Sequence, residues 1–265
     1  MSAPDVSLVI PAYRERDRLP ALIARLTELA LVAPRPVIEV VVVDDGSPAA
    51  HVDAERASAG EAARQLAAAG APHAVRFIAL DRNRGKGAAI RAGWSEADPR
   101  ASWLGFVDAD GAVGAAEALR LAAIAAGDPP ADVVAATRIR MAGRRIERSL
   151  VRHLQGRVFA TFVEELFHLG FYDTQCGAKL FRANRLRPIL PRLREDRWLL
   201  DVEVLALLSR EGSVFVEEPI DWCDPGGSKV IPGLDPLKMA FGLWRMRRRL
   251  DREAAARVAQ ASRPA

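Results

Sequence analysis

The feature that most constrains this chain is the regular alternation of its first 137 residues. Five short apolar runs stand out: VSLVI (6–10), VIEVVVV (37–43), AVRFIAL (74–80), SWLGFV (102–107) and ADVVAAT (131–137). They are rich in Val and Ile, and they are mostly continuous rather than alternating. That is the pattern of strands covered on both faces. Between them, 18–30, 53–69, 86–97 and 114–126 read as helices. Strand–helix alternation implies βαβ units with right-handed crossovers, and so an α/β fold with a mostly parallel central sheet.

After about residue 140 the pattern changes. Residues 145–168 read as one long helical stretch, followed by DTQCGAKLF (173–181) and a helix near 199–211. A short strand SVFVEEPI (213–220), a loop CDPGGSK (223–229) and a last helix at 234–252 complete the chain, with a frayed tail expected after about 255. The 265 residues, half of them hydrophobic and 27% charged, suit one large domain or one domain with an appendage. The net charge is +4, but Lys and Arg concentrate at 138–157 and 238–252. Patches of this kind suit phosphates, nucleic acid or anionic lipid.

The 2 cysteines, Cys176 and Cys223, have no second ligand at metal spacing and cannot form a disulfide framework. A reducing, cytoplasmic setting is expected. The N-terminus lacks the basic region and long apolar run of a signal peptide. No stretch approaches the ~18 apolar residues needed to span a bilayer. The expectation is a soluble protein, or one that lies on the inner face of a membrane without crossing it.

In open α/β sheets ligands sit beyond the carboxyl ends of the strands. The first strand ends in Pro11, Ala12, Tyr13, Arg14 and Glu15, and the second in Asp44, Asp45, Gly46 and Ser47. The third ends in DRNRGKG (81–87), and the fourth runs straight into Asp108, Ala109, Asp110 and Gly111. All four must face one edge. Two carboxylates at i and i+2, on a turn that Gly111 permits, can converge on one divalent cation. Mg²⁺ and Mn²⁺ take oxygen ligands and share them with substrate phosphates, which points to a nucleoside diphosphate. The structural alternative is a helix N-cap beside a turn Asp. No G-x-x-x-x-G-K-[ST] and no G-x-G-x-x-G follows any strand, so P-loop and dinucleotide readings lose support. Gly85 and Gly87 would let backbone approach a ligand at a helix start, with Lys86 supplying a cation.

In order, VIPAYRE, VVVDDGS, NRGKGAAIRAG and FVDADG resemble the GT-A glycosyltransferases of family 2. RSLVRHLQGRVFATFVEELF, DTQCGAKLF, EDRWLLDVEVLAL and WCDPGGSKV resemble the polyprenyl-phosphate branch of that family, in its dolichyl-phosphate glucosyl form. The resemblance covers residues 6–250. It implies a GT-A (Rossmann-like) nucleotide-diphospho-sugar transferase fold. Residues 1–140 would bind the nucleotide sugar, 141–233 would be the acceptor-binding half of the same domain, and 234–265 a C-terminal amphipathic basic helix and tail.

The resemblance also implies roles. Pro11, Tyr13 and Glu15 would line the nucleoside pocket. Asp44 and Asp45 would hold the base and ribose region, with Asn83, Gly85 and Lys86 closing it. Asp108 and Asp110 would hold Mg²⁺ or Mn²⁺ and the diphosphate. Arg138, Arg148 and Arg152 would meet the acceptor phosphate. Asp173, Gln175 and Cys176 would sit near the donor sugar, Asp201 and Glu203 beside the reacting centre, and Ser228 and Lys229 over phosphate. Ala112 stands where mannosyl members carry Gln, which favours UDP-glucose as donor.

The implied reaction is an inverting, in-line displacement onto a polyprenyl phosphate. A lipid monophosphate is a nucleophile at neutral pH and needs no strong base. A hydroxyl acceptor would need one, and Asp201 or Glu203 could serve. A soluble glycosyltransferase with a hydroxyl acceptor, and a non-catalytic nucleotide-sugar-binding module, are the competing readings. Asp201 and Glu203 have a structural alternative, that they hold arginines. The helix at 234–252 places Leu237, Phe241 and Trp244 on one side, with Arg245, Arg247, Arg248 and Arg249 after them. It either lies on a membrane or docks on its own domain. His153, His168 and Cys176 read as structural. Nucleic-acid binding is not expected, because the basic segments lack interleaved aromatics.

Overall fold

Strands buried on both faces need helices above and below them, and the chain supplies both layers. A computed structural model of the protein describes residues 3–147, 150–223 and 234–261. The first half forms β1 (Val6–Ala12), α1 (Leu19–Val32), β2 (Ile38–Asp44), α2 (Ala49–Ala68), β3 (Ala74–Ala79), α3 (Lys86–Glu96), β4 (Trp103–Val107), α4 (Ala115–Ala126) and β5 (Val133–Thr137). The second half adds β6 (Ile146–Glu147), α5 (Leu150–Phe167), β7 (Ala178–Arg182), the short α6 (Ala183–Leu186), a 3₁₀ turn (Arg187–Arg192), α7 (Leu200–Arg210), β8 (Phe215–Pro219), β9 (Trp222–Cys223) and α8 (Leu234–Ala261).

Seven strands make one sheet in the order β3-β2-β1-β4-β7-β5-β8. All neighbours are parallel except β7, which runs antiparallel to both β4 and β5. Every residue of β2 and β4 is buried, including Glu39 and Asp44 at the two ends of the Val run in β2. One apolar cluster joins α3, α5, α7 and α8 to one face through Trp94, Val163, Leu205 and Leu243. A second joins α1, α2 and α4 to the other through Ile23, Ala62 and Leu121. β1 lies between β2 and β4, so the winding direction reverses there. That reversal opens a crevice at the carboxyl ends of β1 and β4.

Three sequence expectations change. The helical stretch expected from 145 begins at Leu150, because Ile146–Glu147 is a strand paired with Trp222–Cys223. The segment AKLFR, left without a type, is β7 in the middle of the sheet, so the two halves share one core. The last helix runs on to Ala261 instead of fraying from 255. Its inner face, Leu243, Met246 and Leu250, is buried in the core.

Candidate active site

The crevice is built from short loops that bind each other before they could bind anything else. Asp45 sits immediately beyond β2 and is buried. Its carboxylate accepts the backbone N–H groups of Arg84 at 2.8 Å and Gly85 at 2.7 Å. Burial raises its pKa, against the pull of those two N–H groups. Each oxygen accepts one backbone N–H, so Asp45 ties the second loop to the third where the base and ribose are expected. Asp44 ends β2 and accepts the Ser47 N–H at 2.9 Å. Arg14, held at φ 57°, donates its N–H to Ser47 Oγ at 2.8 Å, tying the first loop to the second.

Pro11, near the end of β1, and Tyr13, just beyond it, are half-buried, and Asn83 is exposed on the third loop. Glu15 is buried and receives a bidentate pair from Arg18 at 2.6 and 2.7 Å. Arg18 was not expected in the site. Burial opposes its charge, but Glu15 and then Asp110 hold its pKa above the ordinary value. A guanidinium therefore stands between the first loop and the acidic end of β4.

The glycines at 85 and 87 have a neighbour that the sequence did not disclose. A Cβ on Gly85 would strike the Asp196 carbonyl, and one on Gly87 would lie 2.8 Å from the Glu195 carbonyl oxygen. Ala88 donates its N–H to that same Asp196 carbonyl at 3.0 Å. What approaches the start of α3 so closely is the chain's own 195–197 loop. Gly85, at φ 112°, is a packing glycine here.

Lys86 opens α3 and reaches across to β4. Its Nζ lies 2.6 Å from Asp108 Oδ1, and it stands 5.1 Å from the Phe106 ring centroid and 5.8 Å from that of Trp198. Burial would lower its pKa, but Asp108, Asp201 and Asp110 outweigh this and raise it. Asp108 donates its own N–H to the Gly177 carbonyl at 2.8 Å. A Cβ on Gly177 would collide with the Asp108 carboxylate, so that glycine forms the cradle the carboxylate rests in. Asp110 accepts the Ala112 N–H at 3.0 Å across the Gly111 turn, φ 76°. Its pKa is raised by burial and by Asp108.

These two carboxylates fit a hard divalent cation. Among the described residues no group of three His, Cys, Asp or Glu side chains converges. A cation held there would take two oxygens from the protein and the rest from phosphate and water, as Mg²⁺ and Mn²⁺ sites with nucleotides do.

Beyond the end of β5, Arg138 Nε and Nη2 bind Asp173 at 2.6 and 2.8 Å. Burial raises the Asp173 pKa, but Arg138 overrides it and the net shift is downward. Gln175 donates Nε2 to the Trp198 carbonyl at 3.3 Å, and Trp198 remains 37% exposed in the crevice wall. Cys176 is fully buried, and that burial pushes its thiol up to about 12, so it is no nucleophile.

Asp201 and Glu203 part company. Positions i and i+2 of a helix do not share a face. Asp201 is buried 3.5 Å from Lys179 Nζ, and its charge acts on Lys86. Glu203 is fully buried and accepts the N–H groups of Arg194 and Glu195 and the guanidinium of Arg249. It anchors the 194–195 loop to α8, which corrects its placement beside the reacting centre. Lys179, in β7, was not expected: its side chain is 0% exposed and it donates to the Cys176 carbonyl at 2.7 Å. Arg148, Ser228 and Lys229 lie outside the described residues, as does the Arg152 side chain.

The family described as Glycosyl transferase family 2 matches residues 7–189. The dolichyl-phosphate beta-glucosyltransferase of Dictyostelium discoideum is 30% identical over 91% of this chain and 73% of its own length. That of Drosophila melanogaster is 31% identical over 91% of this chain and 74% of its own length. Glucosyl-3-phosphoglycerate synthase from Mycobacterium tuberculosis, solved with Mn²⁺, uridine-diphosphate and phosphoglyceric acid, shares the fold at a TM-score of 0.62 and 16% identity. That match spans 92% of this chain and 77% of the other. A GT-A crevice with an acidic pair at its switch point therefore has its counterpart in sequence: the chain belongs to glycosyl transferase family 2.

Proposed function

We propose that this protein transfers glucose from UDP-glucose to a polyprenyl phosphate with inversion. The carrying observation is the convergence of Asp108, Asp110 and Lys86 at the switch point, in a chain related along 91% of its length to dolichyl-phosphate beta-glucosyltransferases. Asp108 and Asp110 would hold Mg²⁺ or Mn²⁺, which supplies positive charge to the departing diphosphate. Lys86 adds a second cation there, and Arg18 a third between Glu15 and Asp110.

The acceptor enters from the Arg138 side. Arg138 is aligned by Asp173, so its guanidinium is fixed before an anion arrives. A phosphomonoester attacks the anomeric carbon from the face opposite the diphosphate and needs no proton removed at neutral pH. Asp201, flanked by Lys179 and Lys86, lines that face and orients the sugar.

A lipid acceptor needs a membrane-facing surface, and α8 offers one. Among the described residues no helix is long and apolar enough to cross a membrane. Opposite the buried face of α8, Phe241 is 62% and Trp244 46% exposed, with rings stacked 5.9 Å apart. Arg248 lies 4.7 Å over the Trp244 ring, and Arg245 and Arg252 are exposed nearby. Aromatics flanked by arginines suit the interface of an anionic bilayer. The inner face of this helix docks on its own domain, and the exposed outer face supports the membrane reading. Incubation with UDP-glucose, Mg²⁺ and either polyprenyl phosphate or hydroxyl acceptors tests the proposal. Glucosyl lipid is the expected product, and transfer to hydroxyls alone would replace it.

A further inference from the structure

Two fully buried carboxyl groups meet behind the donor loops. Asp44 ends β2, and Glu55 faces it from the second turn of α2; both are 0% exposed. Their side chains lie within hydrogen-bonding reach of each other. Each satisfies one oxygen: Asp44 Oδ1 accepts the Ser47 N–H at 2.9 Å, and Glu55 Oε1 accepts the Glu15 N–H at 2.8 Å. Each also keeps one buried oxygen without any donor, Asp44 Oδ2 and Glu55 Oε2. Two acceptors cannot satisfy each other, and two buried charges this close repel. One proton between them resolves both problems.

We propose that Asp44 and Glu55 share a single proton, and that Glu55 is a positioning residue which, through that proton, holds the first and second donor loops in register. The inference rests on the reading of those loops as the donor pocket. Glu55 grips the first loop at Glu15, and Asp44 shapes the second at Ser47, whose hydroxyl accepts the Arg14 N–H. When the proton goes to solvent, repulsion between the two carboxylates drives the loops apart. Burial, then Asp44, lifts the Glu55 carboxyl to about 7, against the pull of the Glu15 N–H. The charged or titratable groups around it are Asp44 from β2, Glu15 and its partner Arg18 from the first loop, and His51 one turn earlier on α2.

Glu55→Gln separates this role from simple packing. A glutamine keeps the acceptor for Glu15 and carries a permanent donor for Asp44, so it mimics the protonated state. UDP-glucose affinity is measured calorimetrically with excess Mg²⁺ at about pH 6 and about pH 8.5. If the proton is required, the wild-type Kd weakens by about tenfold over that range, while that of E55Q changes less than about twofold. The other titrating groups are common to both proteins, so the difference reports the pair. Parallel profiles overturn the proposal. If E55Q does not fold, Asp44→Asn, which puts the donor on the other partner, must flatten the profile instead. If UDP-glucose binds neither protein at any pH, the functional reading fails, and unliganded unfolding decides the pair. The folded-state pKa of Glu55 lies above its ordinary 4.5. Its stabilisation is therefore full below 4.5 and lost as pH rises through about 7. The wild-type midpoint must fall relative to E55Q across that window, and midpoints that stay parallel overturn the shared proton.

Discussion

Lys86 Nζ stands 2.6 Å from Asp108 Oδ1, joining the start of α3 to the end of β4. The pair brings a cation from one strand-end loop onto the carboxylate of another. Phe106 and Trp198 wall it, and Asp201 and Asp110 add to the field that keeps the lysine charged. With a divalent cation on the two carboxylates, Lys86 would be released from Asp108 to offer its charge to a diphosphate.

Replacing Lys86 by Met should therefore lower kcat/KM for the donor by roughly 10²-fold, since preorganised charges of this kind contribute on that scale. Lys86→Arg should recover part of the loss. Steady-state kinetics at saturating acceptor checks this, and wild-type kcat/KM in K86M would contradict it.

Glu203 supports a different expectation. It is fully buried and binds Arg249 and two backbone N–H groups. Removing one partner of a buried charge pair costs about 3 kcal/mol, or roughly 6–10 °C in melting temperature for a chain of this size. Glu203→Gln should lose that stability and keep its kcat/KM per folded molecule. Loss of catalysis at unchanged melting temperature would return Glu203 to the reacting centre.

The Arg138–Asp173 pair gives a pH signature. Asp173 has a folded-state pKa below its ordinary 3.8, because Arg138 overrides the effect of burial. Its contribution to stability is present above that ordinary value and is lost as pH falls through the depressed folded value. Arg138→Met should remove this contribution, so the stability gap between mutant and wild type narrows as the pH falls below 3.8. Denaturation curves at acid and neutral pH would show it, and a gap independent of pH would refute it.

The outer face of α8 predicts a separable defect. Phe241→Ser with Trp244→Ser should weaken sedimentation with vesicles containing anionic phospholipid while leaving UDP-glucose affinity intact, because the inner face of the helix is untouched. Wild-type vesicle binding in the double variant would remove this surface from the account.

Much of this was legible in sequence, and the rest was hidden for a physical reason. The run Trp103–Val107 ending in Asp108, Ala109 and Asp110 announces a buried strand with a metal-capable turn, because all its signals are local. Gly85 announces a close approach but not of what. Its neighbour is the 195–197 loop, more than a hundred residues on. Lys179 is a lysine inside a buried strand, and nothing near it in sequence accounts for that. Its burial is permitted by Asp201, which comes from α7. Glu55 shows in the sequence as one more helical glutamate, and only the placement of Asp44 marks it out. Strand ends are local features, whereas the partner that completes each side chain comes from another loop.

The most direct measurement is transfer of labelled glucose from UDP-glucose to a short-chain polyprenyl phosphate, with Mg²⁺ or Mn²⁺ present, by the wild type and by Asp110→Ala. The wild type should form glucosyl lipid and stop on addition of EDTA, and D110A should be slower by roughly 10³-fold or more. Undiminished lipid product from D110A, or from the wild type in EDTA, would contradict a cation-bearing role for the acidic pair at the end of β4.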